Sequence, residues 1–230
     1  MNNGDDSLYY LRKGYRVVAI EANAELCARA SARFESEIKH NQITILNIGV
    51  GNERGSRPFY VHNLNSVLST FVPEGERIGF TAKVRPDEFS VRSVEIRKLS
   101  DVVNFFGHPD YIKIDVEGWD AACLRDLYET GIRPPSISAE VHSIDVFCFL
   151  VAMGYTEFNM VAGITVAVAF ANHTIRSVDG TTSLFSFNEH SAGPFGDDLP
   201  GPWVGSEAIL QTWLRRGDIG WFDIHARLPR

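Results

Sequence analysis

Asp110-Tyr-Ile-Lys-Ile-Asp-Val-Glu-Gly118 reads as a buried strand that runs out into acids. Tyr111, Ile112 and Ile114 favour extended chain, and Val116 carries it to its end. Asp115 and Glu117 arrive where the strand should stop, Gly118 permits a turn, and Trp119 onward reads as a helix. In open α/β sheets ligands bind outside the carboxyl ends of the strands, so carboxylates at that position are better placed to touch a ligand than to support the core. Tyr15-Arg-Val-Val-Ala-Ile-Glu-Ala-Asn23 repeats the design upstream, with Glu21 at the strand end. Ser138-Ala-Glu-Val-His142 repeats it on the following strand with Glu140 and His142.

Working outward, Asp5 or Asp6 caps a short helix that stops at Gly14. Arg16 to Glu21 is a strand, and Asn23 caps a helix running to about His40, in which Leu26, Ala30, Phe34 and Ile38 recur every four residues. Ile43 to Val50 is the next strand. The order helix, strand, helix, strand implies parallel pairing through crossover helices, an α/β fold. Residues 51–99 break this rhythm. Pro58 to His62 and Val91 to Arg97 suggest a hairpin-containing insertion on the rim of the site, followed by a short helix from Leu99 to Phe106. The alternation resumes with a strand over Tyr111 to Val116, a helix over Trp119 to Glu129 and a strand over Ser136 to His142. A helix over Asp145 to Met153 and a strand over Thr156 to Met160 follow. Residues 192–205 carry three Pro and four Gly and read as a surface loop or a lid. A helix over Ile209 to Arg215 and a strand over Trp221 to Leu228 close the chain. No repeat or linker divides it, so one domain is expected over 1–230.

The 230 residues suffice for a well-buried core, and the 44% hydrophobic and 22% charged fractions are ordinary for a globular protein. A net charge of -7 disfavours nucleic acid as a partner, whose binding needs a basic face. Cys27, Cys123 and Cys148 are far apart and odd in number, without metal-ligand spacing, and read as buried small hydrophobes in a reducing cytoplasm. Met1 is followed by Asn-Asn-Gly-Asp-Asp, the opposite of a basic-then-apolar leader. The longest apolar runs, Val146 to Met153 and Met160 to Ala171, are too short to span a bilayer.

Glu21 can accept hydrogen bonds from a ribose diol, its structural alternative being an acid near a helix N-terminus. Asp115, Glu117, Glu140 and His142 would converge at one sheet edge, Asp115 and Glu117 sharing a strand face by their spacing. Such a group could deprotonate a hydroxyl or hold a divalent metal, and the metal-free reading is preferred. Lys113, inside an apolar strand, needs a carboxylate partner. Trp119 reads as packing, and His40, His62, His108, His173, His190 and His225 have no ligand-like spacing.

Together these segments resemble the FkbM family of S-adenosylmethionine-dependent methyltransferases. The matching pieces are residues 2–11, Val17-Val-Ala-Ile-Glu-Ala-Asn23, Ile48-Gly-Val-Gly51, Ile112-Lys-Ile-Asp-Val-Glu-Gly118 and Ala139-Glu-Val-His142. The resemblance implies a Rossmann-like class I methyltransferase fold, a mostly parallel sheet with an antiparallel final strand, and methyl transfer to a hydroxyl of a sugar or secondary metabolite. It also implies S-adenosylmethionine as cofactor. Gly4 and Asp5 would lie near its methionine part, Glu21 would hold its ribose, Ile48 to Gly51, with Gly49 and Val50, would lie towards its adenine, and Asn23 would also bind the cofactor. The family pattern opens with a strand and an acidic glycine turn ahead of Asn2-Asn-Gly-Asp-Asp6, so a missing first strand and a weakened cofactor site are expected. A non-catalytic binding protein on the same fold is therefore the alternative reading. A nicotinamide oxidoreductase is disfavoured because no GxGxxG turn precedes Glu21.

Overall fold

The computed structural model describes residues 1–77, 81–216 and 221–229. The first third holds α1 (Asp5–Arg12), β1 (Val17–Ile20), α2 (Ala24–Arg33), α3 (Glu35–Lys39), β2 (Ile43–Leu46) and β3 (Gly49–Gly51). β4 (Gly55–His62), β5 (Phe89–Lys98), α4 (Leu99–Phe106), β6 (Tyr111–Ile114), α5 (Asp120–Thr130), β7 (Ser136–Glu140) and α6 (Ile144–Ala152) follow. β8 (Glu157–Ala162), α7 (Val166–Ala169), β9 (His173–Arg176), β10 (Thr182–Phe185), α8 (Ser206–Arg216) and β11 (Phe222–Arg227) complete this mixed α/β chain. Among the described residues no helix is long and apolar enough to cross a membrane. The chain forms two compact units, Met1–Gly49 with Val161–Pro200, and Val50–Met160 with Gly201–Arg230.

In the first unit β1 and β2 pair in parallel, Val17 opposite Ile43 through Ile20 opposite Leu46, as the helix–strand alternation implies. Val17, Ala19, Ala30, Phe34 and Ile43 form the core beneath them. Asn23 caps α2, its side chain accepting from the Glu25 amide. The expected helix to His40 is broken at Phe34, whose non-helical backbone (φ -106°, ψ 26°) accompanies a ring buried to 1%. That ring also sits where a side chain on Gly4 would go, a Cβ there falling 2.6 Å from it. Gly4, at φ +86°, rather than Asp5 or Asp6 is the N-cap of α1. Gly14, also at φ +86°, ends that helix as expected. The expected strand Ile43 to Val50 is two strands. It breaks at Asn47, whose amide donates to the Glu21 and Ala22 carbonyls.

The Pro/Gly-rich stretch is not a surface loop in its first half, because residues 191–195, 198 and 199 are buried. Polar anchors draw it in. Asp6 accepts from the Ser191 hydroxyl (2.5 Å) and the Ala192 amide (3.1 Å). Asp198 forms a buried ion pair with Lys13 and accepts from the Tyr9 hydroxyl (2.8 Å) and the Arg176 amide (3.1 Å). Phe195 packs edge-on against Tyr9 and Tyr10, and the Lys13 ammonium lies over the Phe195 ring at 5.2 Å. The β9–β10 hairpin of this unit, antiparallel through Ser183 opposite Ile175, lies in the stretch whose pattern the sequence left irregular.

In the second unit the strand order of the main sheet is β6-β7-β11-β8. β6 runs parallel to β7, with Ile114 opposite Ala139, and β11 runs antiparallel to β7, with Asp223 opposite Glu140 and His225 opposite Ser138. Alternation gives this sheet two unlike faces. Ile112, Ile114, Ile137, Ala139, Ile224 and Ala226 share one. Lys113, Ser138, Glu140, Asp223 and His225 share the other, where Ser138, Asp223 and His225 are at most 1% exposed. The insertion forms the antiparallel β4–β5 hairpin in a three-stranded sheet of order β3-β5-β4. Pro58, which has no amide hydrogen to donate, falls on the edge strand. Cys27 and Cys123 are buried, whereas Cys148 is exposed, contrary to expectation. It lies off the inward stripe of Val146, Phe147 and Leu150 on α6.

Candidate functional site

The acids of the opening segment lie just past the carboxyl end of β6. The strand ends at Ile114, so Asp115 and Glu117 do not share a face of extended chain as their spacing implied. Glu117 instead enters a turn at φ +51°, a left-handed conformation uncommon for a residue with a side chain, and Gly118 follows at φ +97°. The turn is held from outside and inside. From the insertion, the buried Thr70 hydroxyl donates to the Glu117 carbonyl at 2.7 Å, and Phe71 lies against Trp119 with ring centroids 5.3 Å apart. From within, the Asp120 carboxylate accepts from the Val116 amide (3.3 Å) and the Gly118 amide (3.2 Å). Trp119 also packs over Gly51, where a Cβ would fall 2.9 Å from its ring, and beneath Arg57, whose guanidinium lies 5.0 Å from the ring centroid. Trp119 is thus a packing residue, as expected, and the hairpin borders the acidic turn.

The four residues come together. Asp115 is hydrogen-bonded by Glu140 and forms an ion pair with Lys113 at 2.5 Å. His142 Nε2 lies 2.9 Å from Glu140 Oε2, and donor atoms of Glu117, Glu140 and His142 all fall within 4.8 Å of one another. Crowding these groups in a half-buried place separates their ionisation. Burial opposes the charged form of Asp115, but the Lys113 ammonium more than offsets it and holds the carboxyl down at about 2. Burial, and then the charges of Asp115, Glu140 and Asp120, push Glu117 up to about 10, so at neutral pH it is a hydrogen-bond donor. Burial and Asp115 raise Glu140 against the pull of His142. Burial pushes Asp120 up to about 7 against the opposing pull of His142. Burial lowers His142, but the hydrogen bond and charge of Glu140, then Asp120 and Asp115, outweigh it and carry the imidazole up to about 9.

Asp120 was missed in the sequence, although its place in the first turn of a helix beside the acidic turn was visible. The polar sheet face was missed as well. His225 reads as bland in the sequence, yet it is 1% exposed, and neither ring nitrogen has a hydrogen-bond partner among the described residues. Burial and then the nearby Lys113 push it down to about 3, so it is a neutral imidazole.

The expected cofactor residues lie apart from this cluster in the chain. Glu21, at the end of β1, accepts from the Asn2 amide (2.8 Å) and the Met1 nitrogen (3.2 Å) through Oε2, and from the Asn23 amide (2.8 Å) through Oε1. Asp5 is engaged by Arg33, Asn188 and Asn3, which hold its carboxyl below the usual range against burial. Gly49 and Val50 are buried in β3, where the Val50 carbonyl accepts a weak bond from the Cys123 thiol at 3.6 Å.

No protein of curated function matches the chain. Among solved structures, a crystal structure of Methyltransferase FkbM from Methylobacillus flagellatus KT aligns at 15% identity with a TM-score of 0.44. The alignment covers 69% of this chain and 38% of that one. The profile of the Methyltransferase FkbM domain matches residues 1–153. That match takes in well over half of the 230 residues, both the Glu21 strand and the Asp115–His142 cluster included, and the chain belongs to the FkbM methyltransferase family.

Proposed function

We propose that residues 1–230 act as one S-adenosylmethionine-dependent O-methyltransferase domain of Rossmann-like class I architecture, taking a hydroxyl of a sugar or secondary metabolite as acceptor. The observation that carries this reading is the meeting of Asp115, Glu117, Glu140 and His142 at the carboxyl ends of two adjacent parallel strands. The antiparallel β11 beside β7 supports the architecture.

The residues present fit the cofactor. Glu21 Oε1 carries a single hydrogen bond among the described residues, which leaves it a lone pair for a ribose hydroxyl. Gly4 and Asp5 are assigned to the methionine part, Asn23 to the ribose side, and Gly49 and Val50 to the adenine side. When bound, S-adenosylmethionine supplies an electrophilic methyl group on a sulfonium. The protein's task is then to orient the acceptor and take its proton. His142 does the latter. Its Nε2 is hydrogen-bonded to Glu140, which assigns the proton there and leaves the Nδ1 lone pair as base. Neutral Glu117 donates to the acceptor, and Asp115, kept ionised by Lys113, stabilises the imidazolium that forms.

Two measurements test this. Calorimetric titration with S-adenosylmethionine should show Glu21→Ala weakening binding by about 30- to 100-fold, the equivalent of losing a charge-assisted pair of hydrogen bonds at about 2–3 kcal/mol. Equal affinities would remove Glu21 from the site. Methyl transfer should also survive EDTA. Glu117, Glu140 and His142 are spaced closely enough for a cation to compete, but the His142–Glu140 bond already engages Nε2. Activity lost to EDTA and restored by a divalent ion would overturn the metal-free assignment.

A further inference from the structure

Asp120 is 1% exposed and sits at the first residue of α5. A buried carboxylate needs strong compensation, yet its two amide bonds, at 3.3 and 3.2 Å, are long. Asp115 and Glu140 are negative neighbours that make its ionisation harder. Among the described residues the basic group within 4 Å of it is His142, whose Nε2 lies 3.8 Å from Asp120 Oδ2. The same nitrogen is 2.9 Å from Glu140 Oε2, so one edge of the imidazole faces carboxylates from two different elements. That leaves Nδ1 as the nitrogen these two acids do not engage.

We propose that Asp120 is a positioning residue for His142: its carboxylate, anchored to the turn amides, fixes which edge of the imidazole faces inward and stabilises the imidazolium. The inference rests on the reading of His142 as base and extends it to a residue that touches neither acceptor nor cofactor. It also links the strained Glu117 turn to the base, because one carboxylate holds the turn's amides and faces the ring. The groups facing His142 are Glu140 beside it, Asp120 from α5, and Asp115 and Glu117 from beyond β6. Asp120 additionally faces the buried Cys123 thiol.

The test is a histidine-ring NMR titration of the whole chain without cofactor, with the His142 resonance assigned by His142→Gln. In the wild type His142 should titrate well above the ordinary histidine value. In Asp120→Asn and Asp120→Ser, each of which keeps an acceptor for a turn amide without the charge, the midpoint should fall by about one unit. For any acceptor turned over, the acid limb of the kcat/KM profile should move by the same amount while KM for the cofactor stays put. An unchanged midpoint in the folded variants overturns the proposal. So does a wild-type His142 that titrates at the ordinary value, a result available whether or not the variants fold. Because the titration needs no methyl transfer, a chain that shows the coupling but methylates no hydroxyl loses the O-methyltransferase reading and keeps this one.

Discussion

Asp198→Ala is expected to destabilise the protein by about 3–5 kcal/mol, the usual effect of removing one partner of a buried ion pair. At this chain length that is a fall in Tm of roughly 6–20 °C. The Lys13 and Asp198 side chains are 7% and 4% exposed, so the remaining ammonium would be stranded among Tyr9 and Phe195. The Tyr9 hydroxyl and the Arg176 amide would lose their acceptor at the same time. Replacing both charges, as in Lys13→Met with Asp198→Leu, should recover part of the loss, since an apolar pair of similar volume removes the desolvation cost. Thermal melts of the two single variants and the double variant decide it. If Asp198→Ala melts within 2 °C of the wild type, the strap over residues 191–199 is not held by this pair.

That strap shows where reading the sequence fails. Three Pro and four Gly exclude regular structure, but they do not decide between exposure and burial. The deciding partners, Asp6, Tyr9 and Lys13, lie more than 180 residues away along the chain. The strands that carry Glu21, Asp115 and Glu140 at their ends were legible because an apolar run and a terminal acid are local signals. So was the β1–β2 pairing, which the intervening helix forces to be parallel. Local signals also placed the segments that carry Asp115 and Glu140 side by side, β6 beside β7, although Asp115 lies one residue past the end of its strand. They mistook the conformation of Glu117, because Asp-Val-Glu-Gly reads equally as strand and as turn, and the choice falls to Thr70 and Asp120. The break at Phe34 was hidden for the same reason: an every-fourth apolar pattern runs through it, and only the demand of the core on that ring ends the helix. His225 carried no signal at all, since its burial depends on its place in the antiparallel ladder beside Ser138.

His142→Gln and Glu140→Gln should each lower kcat for methyl transfer by about 10²- to 10⁴-fold while leaving cofactor affinity unchanged, the range for loss of general-base catalysis. The wild-type rate should rise with pH, because Glu140 first, then Asp120 and Asp115, carry the imidazole up to about 9 against the effect of burial. The neutral base therefore accumulates only as pH rises through that value, and the limb should vanish in His142→Gln. Stability should move the opposite way. A group whose folded pKa is raised contributes stability that is fully present below its unfolded value and lost as pH rises through the folded one. His142 (6.5 to about 9), Asp120 (3.8 to about 7) and Glu117 (4.5 to about 10) all shift upward, so the fold takes up protons over this range. Asp115, lowered to about 2, and His225, lowered from 6.5 to about 3, act in the other direction; the effect of Asp115 is already complete above its ordinary value and that of His225 saturates just above 6.5, so the three raised groups outweigh them. The Tm should thus fall between pH 6 and 9 while turnover climbs, the groups titrating as one coupled set. Glu117→Gln, which fixes the neutral form, should flatten the fall in Tm. Variants at His142 and Glu140 that keep kcat within twofold, or a wild-type Tm that rises over this interval, would show that the cluster is not the proton acceptor described here.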